Sequence, residues 1–93
     1  MSIIDFSAEE LTEVASAAFF GMDLDSKQLT FLREQNLSVS QEALERFEKL
    51  NRVRFSILVK ILQAVCVEQK HKELRELLKQ AEELMLVIGG LCK

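Results

Sequence analysis

Residues 53–67 of this 93-residue chain place eleven apolar side chains in fifteen positions, and they do not keep to one face. At helical spacing Val53, Phe55, Ile57, Leu58, Val59, Ile61, Leu62, Ala64, Val65, Cys66 and Val67 spread around nearly the whole circumference. Only Ser56, Lys60 and Gln63 make a narrow polar strip. A helix that is apolar almost all round has to be covered on most sides. The rest of the chain must therefore supply other surfaces for this segment. Its many β-branched residues would also suit a strand, but no flanking turn signal and no second strand candidate accompany it.

Composition supports helices as those surfaces. Proline is absent and glycine occurs only at Gly21, Gly89 and Gly90, whereas a β-rich fold needs many tight turns. Leu, Glu, Ala, Lys and Gln, all good helix formers, run throughout. Apolar residues are 48% and charged residues 29%, a globular balance rather than a disordered one. The expected fold is all-α, a single helical domain over residues 1–93.

Helix starts are marked by capping residues. Ser7 with Glu10 three positions on has the spacing of a capping box, and Phe6 and Leu11 flank it as a hydrophobic staple. Asp25 with Gln28, flanked by Leu24 and Leu29, repeats the arrangement. Ser40, between Val39 and Leu44, is a partial version without an acid or amide at position 43. The pattern predicts a first helix over about 8–20, with Leu11, Val14, Ala15, Ala18 and Phe19 inward and Gly21 as its stop. A short second helix follows over about 26–36, carrying Leu29 and Leu32 inward and Asn36 at its end.

A third, long and largely buried helix is expected over about 40–69. Its first half is amphipathic, with Ala43, Leu44, Phe47 and Leu50 inside and acid-before-base pairs at Glu42–Arg46, Glu45–Lys49 and Glu48–Arg52. A fourth helix over about 73–88 carries a heptad-like seam of Leu74, Leu77, Leu78, Ala81, Leu84, Met85 and Ile88, ended by Gly89-Gly90. Helices three and four could be continuous, but a hinge near His71 is favoured, because one rod would leave residues 53–67 uncovered by their own chain. The expected architecture is a bundle of four helices.

Chemistry-bearing residues are few. His71, the one histidine, lies between Lys70 and Lys72 in a polar run and reads as an exposed residue. Cys66 sits in an apolar run and reads as a small core residue, and Cys92 as a loose terminal thiol. Neither CxxC spacing, HExxH, a glycine-rich phosphate loop nor an EF-hand loop occurs. No enzyme activity, cofactor or metal is expected. The absence of a basic leader with an apolar core, and of an unbroken apolar run of about 20 residues, points to a cytoplasmic protein without a membrane span.

Net charge is −3, divided into −5 over residues 1–36 and +2 over the remainder. An acidic total argues against nucleic acid, which needs a concentrated positive field. A helix-turn-helix reading of residues 26–52 meets the same obstacle, since Gln41, Glu42 and Glu45 would face the bases. That leaves a small transcriptional regulator as an alternative, and an immunity-protein-like bundle as another.

The favoured function is a non-enzymatic interaction module: a small acidic helical chaperone, adaptor or assembly subunit that packs apolar faces against a protein partner or itself. Secretion chaperones share its size and charge, though no motif ties this chain to them. Several apolar residues fall outside any consistent inward stripe, namely Ile3, Ile4, Phe20, Phe31, Phe55, Val59, Val67, Leu86 and Val87. A contiguous patch of such residues exceeds what a monomer usually exposes. Phe55, Val59, Leu62, Leu84 and Met85 are the expected partner-binding residues, in a groove between the third and fourth helices.

Overall fold

The computed structural model describes residues 6–93, and these form three α-helices rather than four: α1 (Ala8–Glu34), α2 (Gln41–Ala64) and α3 (Glu68–Leu91). Short links join consecutive helices, so the chain runs up, down and up again. Each helix packs on both others. The described residues measure 45 × 25 × 16 Å.

Where α1 starts, the local chemistry is as expected. Ser7 Oγ accepts from the Glu10 N–H at 3.1 Å, and Glu10 Oε1 accepts from the Ser7 N–H at 3.0 Å. These two bonds satisfy donors that a helix start leaves open. They favour the charged carboxylate, and they hold Glu10 below the usual carboxylate pKa. Leu11 is buried, and Phe6 packs against the same core cluster.

The expected break at residues 21–25 does not occur. α1 continues through Gly21, which has no positive φ, and Asp25 is a buried mid-helix residue rather than a cap. The two expected helices, 8–20 and 26–36, are one helix of 27 residues. It ends where Asn36 was expected to stop it. Asn36 takes φ 55°, the left-handed conformation, while Leu37 N–H donates to Leu32 O and Asn36 N–H to Arg33 O. This pair of bonds is the Schellman closure of a helix C-terminus.

The second correction concerns residues 40–88. α2 begins at the Ser40 cap, where Ser40 Oγ accepts from the Ala43 N–H at 3.2 Å. It ends at Val65, not near His71, and α3 starts at once from Val67. Both valines have extended backbone, with ψ of 120° and 116°. β-branched side chains lose freedom in a helix and suit extended conformations, so the Val65-Cys66-Val67 triplet is a local reason for the break without Gly or Pro. The polar run 68–73 is the first part of α3, and α3 also continues through Gly89 and Gly90 to Leu91.

The main core comprises Leu11, Ala15, Ala18 and Met22 from α1, Leu58, Ile61 and Val65 from α2 and its end, and Leu74 and Ala81 from α3. A smaller cluster, Leu29, Ile88 and Cys92, lies at the other end with Leu44, Phe47 and Leu91 against it. The cysteine readings exchange places. Cys66 is exposed in the link, whereas Cys92 is buried and its Sγ lies 3.5 Å from Leu44 O. Burial, reinforced by the Glu48 charge, raises the Cys92 thiol pKa.

Candidate functional site

The α1–α2 pair carries the two most distinctive features of the molecule, one on its inner side and one on its outer. Inside is a polar cluster of Asp25, Asn51 and Arg54. Asn51 is fully buried. Its Nδ2 donates to Asp25 Oδ2 at 2.9 Å and to Phe47 O at 2.7 Å, while its Oδ1 accepts from Arg54 Nη1 at 3.0 Å. The same Nη1 donates to Asp25 Oδ2 at 2.7 Å.

Gly21 completes this arrangement. The Arg54 guanidinium lies so close to α1 that a Cβ on residue 21 would stand 2.6 Å from Cζ and Nε. Only the missing side chain leaves that space. A glycine that reads in sequence as a helix stop is in the folded chain a seat for an arginine from the next helix.

Chemically the cluster is closed. Each end of the Asn51 amide has a partner, and the carboxylate is matched to a cation. No buried side-chain polar atom among the described residues lacks a hydrogen-bond partner. A buried, mutually satisfied set of this kind fixes the register of two helices. Among the described residues Arg54–Asp25 is also the one ion pair between helices. Lys27–Asp23, Arg52–Glu48 and Lys70–Glu73 each lie within a single helix. Of the three acid–base pairs expected along α2, Glu48–Arg52 alone is closed, at 2.6 Å.

The outer side is the reverse in character. Phe20, Leu24 and Phe31 project from α1 with 66%, 55% and 57% of their surface exposed, and Leu50 and Val53 of α2 are also about half exposed. Helical phase puts Phe20, Leu24 and Phe31 on the side of α1 opposite Leu11, Met22 and Leu29. Phe20 lines a groove of ≈ 470 Å³ with Glu9, Glu13, Ala17 and Lys70 of α3, so this face of α1 borders α3 as well as α2. A shallow groove of ≈ 400 Å³ between the helices is lined by Lys27, Gln28, Phe31, Leu32 and Phe47. Ala43, Arg46, Phe47 and Leu50 line a second of ≈ 340 Å³ beside it. The two share Phe47, and neither contains an acidic residue.

The residues expected to bind a partner lie elsewhere. Phe55, Leu62, Leu84 and Met85 are half-buried and pack against the main core, and Val59 is half-buried on α2. Phe55, Leu62, Leu84 and Met85 come from α2 and α3, and all three helices contribute to the core they pack against. Of the residues without an inward stripe, Phe20, Phe31, Val67, Leu86 and Val87 are exposed. Ile3 and Ile4 fall outside the described residues.

Leu24, Leu50 and Val53 were not among the expected contacts. Leu24 reads as half of a staple at a false helix start, Leu50 as core, and Val53 as part of the covered segment. Extending α1 through Gly21 is the step that would have exposed the first, because it continues the 3.6-residue phase from Phe20 to Phe31.

The described residues hold no cluster of three or more His, Cys, Asp or Glu side chains placed for a metal ion. None of their helices is long and apolar enough to cross a membrane. α1 and α2 run alongside each other over most of their length, linked at Asp25–Asn51 and through Leu29 with Leu44 and Phe47. Compared with protein-family models, curated proteins and solved structures, the chain matches none, so its site rests on its own residues.

Proposed function

We propose that this chain is a non-enzymatic interaction module, a small chaperone, adaptor or assembly subunit that presents the outer α1–α2 face to a protein partner or to a second copy. The observation that carries this reading is the exposure of Phe20, Leu24 and Phe31 on one face of one helix, while Leu50 and Val53 of α2 are also about half exposed. Leaving such side chains in water is costly, since burying each fully is worth about 1.5–3 kcal/mol. Large aromatic and aliphatic groups gathered on one side of a small domain are the usual mark of a surface that is covered in use.

Rigidity supports the same reading. The inner cluster locks α1 against α2, so the outer face is displayed on a fixed two-helix platform, and little ordering entropy is lost on docking. The closed hydrogen bonds of that cluster also leave it without a free acid or base aimed at a substrate.

The test is site-specific photo-cross-linking in the protein's own cells. A benzophenone side chain at position 31 is expected to yield defined protein adducts, and the same group at the exposed Glu83 position is expected to yield none. Equal labelling at both positions, or none at either, overturns the reading.

A further inference from the structure

We draw no further inference here: the strongest candidate, the exposed apolar face of α1 around Phe20, Leu24 and Phe31, belongs to the surface already described, and nothing in the structure shows what covers it.

Discussion

The inner and outer sides of the α1–α2 pair invert the usual distribution of polarity. Between the helices sit a carboxylate, an amide and a guanidinium, and outside them sit two phenylalanines and a leucine. The inner groups can be buried because each finds its partners within the cluster. The outer groups are only partly covered: Phe20 meets Phe19 edge-on with ring centroids 6.2 Å apart, yet it, Leu24 and Phe31 each keep more than half of their surface exposed. Polarity by itself therefore does not report which side of a helix is functional here. The informative quantity is whether each group's needs are met inside the molecule, hydrogen bonds for the polar set and cover for the apolar set.

The sharpest way to break this comparison is to leave the inner side unsatisfied. Asn51→Asp replaces the donor that serves Asp25 Oδ2 and the Phe47 carbonyl with a second carboxylate. At neutral pH it should cost about 3–5 kcal/mol, the range for breaking a buried charged arrangement. Urea melts followed by circular dichroism measure it. A loss below about 1 kcal/mol would mean that the residue 51 donor does not serve both acceptors.

A smaller effect tests the seat at Gly21. Alanine in mid-helix is ordinarily better than glycine by about 0.5–1 kcal/mol. Here the new Cβ would meet the Arg54 guanidinium at 2.6 Å, and Arg54 is held by Asp25 and Asn51. Gly21→Ala should therefore destabilise wild type by about 1–2 kcal/mol, as the arginine is displaced and its charged hydrogen bonds are lost. In an Arg54→Ala background the same substitution should stabilise the protein by about 0.5–1 kcal/mol. The change of sign across this double-mutant cycle is the diagnostic result. Destabilisation of similar size in both backgrounds would show that residue 21 is constrained by something other than Arg54.

Legibility in the sequence followed the same divide between local and non-local causes. The Ser7 and Ser40 caps and the Asn36 stop depend on residues a few positions apart, and all three can be read directly. Gly21 and Asp25 carry local signals for a stop and a start, yet their structural roles come from Asn51 and Arg54, more than 25 positions away. Two helices were therefore expected where one forms. The break at Val65–Val67 was missed for the opposite reason, because its signal is weak propensity rather than Gly, Pro or a polar cap. The surplus of apolar residues was legible, and so were two of its members on the outer face, Phe20 and Phe31. Their alignment with Leu24 was not, since it exists only in an unbroken α1.

The cysteines give a smaller contrast between covered and open positions. Cys92→Ala should cost about 1 kcal/mol by removing a buried sulfur beside Leu29 and Ile88. Cys66→Ala should stay within about 0.5 kcal/mol, as for other exposed positions. Because burial raises the Cys92 pKa, its thiolate is harder to form in the folded state than in the unfolded chain. The sign follows: stability should fall as pH rises through the thiol range, and Cys92→Ala should abolish that part of the alkaline loss. Thiol-reagent kinetics check the same point, with Cys66 reacting first and Cys92 only after denaturant is added.

The smallest expected stability effect bears most directly on function. Leu24→Glu and Phe31→Glu exchange mostly exposed apolar groups for charges on the outer face, Phe31 at the groove that it lines with Leu32 and Phe47. At a dilution where the chain is monomeric, each should shift stability by no more than about 0.5 kcal/mol. Thermal melts of the variants and the wild type at that dilution measure it. A large loss in the dilute limit would mean that Leu24 or Phe31 is already covered by its own chain. The inversion between the two sides of α1 and α2 would then disappear, since both sides would be interior.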